Sequence, residues 1–268
     1  MAPGRMEPEY LNLCNPDGRK SCAACCGLYN IPDATREALV ERLKSRTDLF
    51  QKTERTVAAL DAYQAEVKRQ EFGGPLDDGI HVCEFTGFLD RRRKLVGCLL
   101  HPSCPDNLGI DFRGLCYYGS MACKTFFCPS WNQIPQRHRS ILVDVLDDWH
   151  LYGLVITDTI FVQSLFALLE GSLGEPVDRG RLFSNHSLVF FKRMLSWKTS
   201  WPFSGSSTLR RSRFYLPMPD PHVQWHEEEN RRDLLESLQF TFGHKNSVSR
   251  EADFVQQEVQ RFVRAYID

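Results

Sequence analysis

The stretch SCAACCGLYN, residues 21–30, holds Cys22, Cys25 and Cys26, with Cys14 just upstream, so four thiols fall within thirteen residues and two of them are adjacent. Free thiols at that density oxidise, and when ionised they repel one another. A bound cation removes both difficulties, because it stabilises the thiolates and offsets their charge. The CxxC spacing of Cys22 and Cys25 is the short knuckle that lets two sulfurs reach one centre. Gly27 follows directly and allows the backbone to turn through positive φ. The adjacency of Cys25 and Cys26 adds a constraint. Successive side chains point in different directions, which makes joint ligation of a single zinc awkward. A locally helical segment would instead place Cys22, Cys25 and Cys26 on one face at i, i+3 and i+4. A multinuclear cluster or two neighbouring metals would use both adjacent thiols.

The chain has ten cysteines in 268 residues. After the first four come Cys83, Cys98, Cys104, Cys116, Cys123 and Cys128, and from Pro129 to Asp268 there are none. A cysteine used only as a small hydrophobe has no reason to avoid half a chain. This predicts a cysteine-cluster metal-binding region over 1–135 and a helical region over 136–268 packed against it, with a single shared core left open. Length alone allows one large domain or two small ones. Two four-thiolate sites would use eight of the ten thiols, and one four-iron cluster would use four. Cys104 and Cys128 each precede a proline, as the last cysteine of a bacterial ferredoxin motif does.

CAACCG, then Cys83 in HVCEF, Cys98 in GCLLHP and Cys123 in CKTFFC together resemble the YkgJ-type cysteine-cluster family, whose domain is described as zinc- or iron-chelating with a CxxCxxCC signature. The resemblance spans about residues 14–130. It departs from the signature in two places. Seven residues separate Cys14 from Cys22, and SCPDNLGIDFRGLCYYGSMA lies between the third and fourth elements. The resemblance implies metal binding, with Cys14, Cys22, Cys25, Cys26, Cys83, Cys98, Cys123 and Cys128 as the ligand candidates. One branch of the family is similar to flagellin lysine methylases, which carry an iron–sulfur cluster and use S-adenosylmethionine. Here the C-x7-C-x2-C spacing of Cys14, Cys22 and Cys25 differs from the C-x3-C-x2-C of radical S-adenosylmethionine enzymes, and no GxGxxG follows a strand to hold a nucleotide.

Periodicity predicts a mainly α fold with a small β-hairpin, a helical fold around a cysteine-rich metal site. Asp33 is positioned to cap a first helix carrying Leu39, Leu43 and Phe50. A second runs from about Lys52 to Arg69 with Val57, Leu60, Tyr63 and Val67 on one stripe, and GGPLDDG ends it. HVCEFTGFLDRRRKLVGCLLHP reads as a hairpin that brings Cys83 near Cys98, and residues 103–127 read as irregular. In the second half four stripes mark helices: Leu142, Val145, Leu146 and Trp149; Phe161, Leu165, Leu168 and Leu169; Leu188, Phe191, Met194 and Leu195; and Leu234, Leu235 and Leu238. A fifth stripe, the clearest, is Val255, Val259, Phe262, Val263 and Tyr266 on the last helix. Pro202, Pro217, Pro219 and Pro221 interrupt them, with a short extended piece at Phe214–Leu216.

A formal net charge of −1 gives no drive toward a polyanion, so neither nucleic acid nor a membrane is expected as a partner. The start of the chain lacks the apolar run of a secretory signal. LYGLVITDTIFV, the most apolar region, is interrupted by Asp158. These features predict a cytoplasmic protein, where thiol clusters serve metal or redox roles in preference to disulfides. Arg91–Lys94 and the arginines 210, 211 and 213 read as solvated turns. His101, three residues after Cys98, reads as a neighbour of the site before a ligand. Asp147, Asp148 and His150 read as a wet helix face opposite Leu146 and Trp149, and Trp197 and Trp201 as core or interface. The expectation is a cytosolic metal-binding protein holding an iron–sulfur cluster ahead of zinc, with an unidentified protein or small-molecule partner. One alternative is a cluster-dependent methyltransferase-like enzyme using S-adenosylmethionine. The other is a structural zinc module whose helical half binds a partner.

Overall fold

The structure, a computed structural model, describes residues 12–71, 73–116, 118–205, 212, 227–242 and 248–268, with the side chains of 227–230 and 248 outside that description. The extended piece expected at 214–216, prolines 217, 219 and 221 and arginines 210, 211 and 213 all lie outside the described residues. The fold is mainly helical, with one two-stranded antiparallel sheet among the described residues.

The first half opens on the cysteine knuckle, a single 3-10 turn at Ala24–Cys26. Helix α1 (Arg36–Phe50) follows, and it buries Leu39, Leu43 and Phe50 as their spacing predicts. Its cap is Thr35, whose side chain accepts from the Ala38 amide. The expected cap Asp33 instead accepts from the Thr35 amide and hydroxyl, so the cap sits two residues further on. Helix α2 (Val57–Gln70) begins five residues later than its stripe suggested, because Thr56 caps it and accepts from Ala59. Val57 is consequently the first helical residue and points outward, while Leu60, Tyr63 and Val67 are buried.

Strands β1 (Thr86–Phe88) and β2 (Val96–Cys98) form the hairpin, with Thr86 opposite Cys98 and Gly87 opposite Gly97. The Asp90 carboxylate closes its turn by accepting from the Lys94 and Leu95 amides, both at 2.8 Å. Arg91, Arg92, Arg93 and Lys94 are exposed on that turn. The described residues of 103–127 form short turns, including a five-residue π-helical turn at Gly119–Cys123.

The second half is mainly helical along its described length: α3 (Ser130–Gln133), α4 (Gln136–Val145), α5 (Trp149–Ile156), α6 (Thr159–Leu173), α7 (Arg179–Ser184), α8 (Ser187–Ser200), α9 (Glu227–Phe242) and α10 (Val248–Ile267). The stripe Leu142, Val145, Leu146 and Trp149 does not lie on one helix. The chain breaks after Val145, and Asp148 caps α5 by accepting from the His150 and Leu151 amides. All four side chains are nevertheless buried. Among the described residues no single helix is long and apolar enough to cross a membrane, and the apolar pair α5–α6 is bent by 83° at its break.

That break is held by a buried ion pair. Asp158 caps α6 by accepting from the Phe161 amide at 3.0 Å, and its other oxygen accepts from Lys198 Nζ of α8 at 2.7 Å. Ser237 of α9 donates to the same oxygen, and Thr241 meets the lysine. Both ion-pair side chains are only 1% exposed. Around this node α6 packs on α9 and α10, and α8 on α5 and α10.

The halves also share apolar packing. Trp149 and Leu154 of α5 lie in one core with residues of the first half that include Ala24, Leu28, Tyr29, Leu39, Phe88 and Val96. Cys22 packs against both this core and the large helical one.

Removing one partner of a buried ion pair leaves the other charge uncompensated. Lys198→Met is therefore expected to cost about 3–5 kcal/mol in urea unfolding at neutral pH. Lys198, the Ser237 hydroxyl and the Phe161 amide hold the Asp158 carboxyl below its ordinary range despite burial. The pair's contribution is thus present above the unfolded carboxyl value, about 3.9, and is lost as pH falls through the lower folded value. A variant indistinguishable from wild type in urea would contradict this role.

Candidate metal centre

The geometry begins at the knuckle. Cys26 and Gly27 close it by donating to the Ala23 and Ala24 carbonyls at 3.1 and 2.9 Å. Gly27 has φ 76°, and a Cβ there would stand 2.2 Å from the His81 carbonyl oxygen. Glycine is thus required both for the turn and to let the 81–83 segment approach. That approach is made directly, since the Cys83 amide donates to the Cys26 carbonyl at 2.9 Å. Thiols 57 residues apart in sequence, Cys26 and Cys83, are thereby neighbours, and the hairpin adds Cys98 opposite Thr86. Val96 of the hairpin also donates to Ser21 Oγ at the start of the knuckle.

One set of thiols lies on the side facing the helices. The Cys22 amide donates to the Cys14 carbonyl at 2.9 Å, closing the long Cys14–Cys22 loop. Lys20 fastens that loop. It is 1% exposed, pairs with Asp17, donates to the Val143 carbonyl of α4 at 2.6 Å and lies over the Tyr152 ring. Tyr152 in turn donates to the Leu13 carbonyl at 2.9 Å. A small cavity of about 20 Å³ opens here, lined by Cys14, Cys22, Cys25 and Cys128 together with Leu13, Ala24, Phe126, Ile156 and Thr157. That is room for about one water-sized sphere. Burial, then the Cys128 and Cys26 thiols, push the Cys14 thiol up to about 11. Burial does the same to Cys22, well above the ordinary thiol range.

The remaining thiols gather on the hairpin side. The hydrogen-bonded Cys25 thiol and burial push Cys26 well up. Burial raises Cys83, followed by Cys26 and Cys98. Burial also raises Cys98, with Cys26, Cys123 and Cys116 adding to it, and Cys123, with Cys26 and Cys116 adding to it. Two guanidinium groups stand beside this set. Arg46 is buried, pairs with Glu71, donates to the Cys83 carbonyl at 2.8 Å and draws the Cys26 thiol down. Arg113 pairs with Asp111 at 2.8 Å, donates to the Cys123 carbonyl at 3.3 Å and is raised first by Asp111 and then by the Cys98 and Cys123 thiols.

Backbone amides favour the ionised sulfurs in both sets. Ala24 donates to Cys22, Phe85 to Cys83 and Leu100 to Cys98, each amide two residues beyond its cysteine. Thr86 Oγ1 is buried and has no hydrogen-bond partner at normal range, yet its hydroxyl pulls the Cys26 thiol down. A thiolate at Cys26 is the acceptor this donor lacks. These donors and the all-sulfur character of both sets fit a soft-metal ligand set. Among the described residues, however, no group of three or more His, Cys, Asp or Glu side chains is drawn together in the geometry of a metal site. The sulfurs converge without closing into a shell.

The other candidates fall elsewhere. Cys104 is buried in a separate core with Phe50, Leu60, Tyr63 and Phe85. Cys116 lies beside Cys98 and Cys123 at the edge of the hairpin-side set. His101 Nδ1 is engaged by the Ser103 amide at 3.0 Å and the Ser103 hydroxyl at 2.6 Å. The wet-face reading of Asp147, Asp148 and His150 is corrected for the histidine. His150 is buried, and its Nε2 meets the Ala34 carbonyl at 2.9 Å. Asp148 pairs with Arg36 at 2.7 Å besides capping α5, and Asp147 is exposed. Trp197 and Trp201 are buried core residues. Neither Lys20 nor Arg46 was legible in the sequence, because a buried cation held by distant backbone carbonyls leaves no periodic pattern. The larger groove, about 920 Å³ between Lys44, Arg55, Phe88, Arg91 and Asp106, has no cysteine in its lining. No family model, no curated protein and no solved structure matches this chain.

Two outcomes follow from this geometry. Gly27→Ala is expected to destabilise the protein by more than about 2 kcal/mol, since a Cβ adds left-handed strain of about 1–2 kcal/mol to the clash with His81. A fully native unfolding midpoint would contradict it. The raised thiols also set a pH dependence. A thiol that keeps its proton to higher pH when folded stabilises the fold fully below the unfolded value, about 8.5, and that contribution is lost as pH rises toward the folded value. Reduced protein stripped with a chelator should therefore lose urea stability from about pH 8.5 toward about 11, where Cys14 titrates. A flat profile over that range would contradict the burial described here.

Proposed function

We propose that this chain is a metal-binding protein that holds zinc or an iron–sulfur cluster through clustered cysteine thiolates. The observation that carries the reading is the meeting of thiols from both sequence groups around the Cys22–Gly27 knuckle, anchored by the Cys83 amide on the Cys26 carbonyl. Packing several thiols together serves no apolar purpose when Cys25 is exposed. It serves a soft cation well. The residues that would hold the metal are Cys14, Cys22, Cys25, Cys26, Cys83, Cys98, Cys123 and Cys128, the set that the YkgJ-type resemblance also implies.

This chain's own groups prepare the thiolates. Amides of Ala24, Phe85 and Leu100 donate to sulfur, and the Thr86 hydroxyl stands beside Cys26. The Arg46 guanidinium, paired with Glu71, and the Arg113 guanidinium, paired with Asp111, stand beside the hairpin-side thiols. Because burial keeps most of these thiols protonated when they are free, loading displaces protons, and affinity rises with pH. The cavity against Cys14 and Cys128 admits an object of about one water's size, which suits an ion better than an organic substrate.

Purification without oxygen, followed by elemental analysis and a visible spectrum, tests the reading. Zinc in a colourless protein, or iron with sulfide in a brown one as thiolate-held clusters would give, is expected. Cys22→Ser and Cys98→Ser should each lower the metal content. Folded protein free of zinc and iron, with unchanged stability in chelator, would contradict the proposal.

A further inference from the structure

The groove of about 920 Å³ with no cysteine in its lining is walled by the last turns of α1, the α1–α2 loop, the hairpin turn and the short 3-10 turn at Pro105–Asn107. Hydrogen bonds fix these walls to one another. The Phe88 amide of β1 donates to Thr47 Oγ1 of α1 at 2.8 Å. Arg55 of the loop donates to the Phe50 carbonyl at 2.9 Å and to Asn107 Oδ1 at 3.1 Å. Asn107 in turn donates to the Leu99 carbonyl at 2.7 Å. The groove is therefore built before anything enters it. Lys44, Arg91 and Arg93 line it together with Asp48, Glu54 and Asp106. Among the described residues none of these six enters an ion pair or a side-chain hydrogen bond. Charges elsewhere on the surface do pair, as Arg36 does with Asp148 and Arg179 with Asp144.

Two further observations point to an occupant. Arg93, at φ 56°, and Leu108, at φ 50°, are the only non-glycine residues with positive φ among the described residues, and both line this groove. A residue with a Cβ is disfavoured in that conformation, and such strain gathers where a structure serves binding. Leu108 is also 88% exposed, more than any other large hydrophobic side chain described. Sites for small organic ligands are mostly apolar. Here Phe88 is buried, which leaves Pro105 and Leu108 as the apolar surface among charged groups. A nucleic-acid backbone would set its phosphates against Asp48, Glu54 and Asp106. We propose that this groove docks an extended peptide segment of a partner protein, one that carries acidic and basic side chains around an apolar residue. The segment's carboxylates pair with Lys44, Arg91 and Arg93, its basic groups pair with Asp48, Glu54 and Asp106, and its apolar side chain covers Leu108. Opposite charges lining the groove do not pair across it, so a segment bearing both signs satisfies them all. A segment of one sign is repelled by half of them.

The test is fluorescence anisotropy of the full-length chain with short, labelled, terminally blocked peptides. In these a central leucine is flanked by alternating glutamate and lysine, by glutamate alone or by lysine alone. The alternating peptide should bind saturably, equally with and without chelator, and more weakly as salt is raised. Arg93→Gly and Leu108→Gly each remove a groove side chain together with its positive-φ strain. Relief of that strain exceeds the freedom that glycine adds to the unfolded chain. Each variant should therefore hold or raise the urea midpoint while weakening the alternating peptide by about tenfold or more, a combination that a merely structural turn would not give. The proposal is overturned by folded wild type that shows no saturable binding of the alternating peptide, by a single-sign peptide that binds as tightly as the alternating one, or by undiminished affinity in both variants. None of these outcomes bears on metal binding by the thiols.

Discussion

The hydrogen bond from the Cys83 amide to the Cys26 carbonyl joins the two cysteine groups, and the rest of the arrangement depends on it. It forms because Gly27 has no Cβ to strike the His81 carbonyl. Once the 81–83 segment is seated, the hairpin follows. Leu99 donates to the Phe85 carbonyl at 2.7 Å, and Cys98 comes to lie across from Thr86. Arg46 then fixes the Cys83 carbonyl from beneath, itself held by both oxygens of Glu71. A backbone contact made possible by one missing methyl group thus organises thiols from distant parts of the chain.

The helical half acts as the back wall of this assembly. Tyr29, three residues beyond the knuckle turn, donates to the His150 carbonyl at 3.1 Å. It approaches α5 so closely that a side chain at Gly153 would collide with its hydroxyl. Lys20 and Tyr152 hold the Cys14 loop to α4 and α5. The register of α5 is in turn set by the Asp148 cap at its start and by the bend at Asp158, where the buried pair with Lys198 ties α6, α8 and α9. The cysteine-free half thereby positions Cys14 and Cys22 without contributing a thiol.

Features with a local cause were the ones legible in the sequence. The hairpin, the stripe of α10 and the positive φ at Gly27 each follow from spacing or from one residue's stereochemistry. The solvated Arg91–Lys94 turn follows in the same way. Features set by distant partners were not legible. The stripe from Leu142 to Trp149 matches helical spacing and yet spans a break, because capping by Asp148 outweighs periodicity. The run DDWH did carry that capping signal. His150 is buried because Ala34, 116 residues earlier, offers it a carbonyl. For the site, spacing separated the knuckle cysteines from the rest but could not separate Cys25 from Cys26. The conformation of those two residues is set by the 3-10 turn and by the Gly27 that ends it. Cys104 belongs to an apolar core that only the tertiary structure reveals.

Sulfur ligation of a metal at the knuckle is the claim on which the functional account stands, and X-ray absorption at the metal edge of anaerobically isolated protein tests it most directly. The account predicts a first shell of four sulfur scatterers per metal at about 2.3 Å. A shell of nitrogen and oxygen alone, or a metal content unchanged when Cys22, Cys26, Cys83 and Cys98 are all replaced by serine in a chain that still folds, would contradict it.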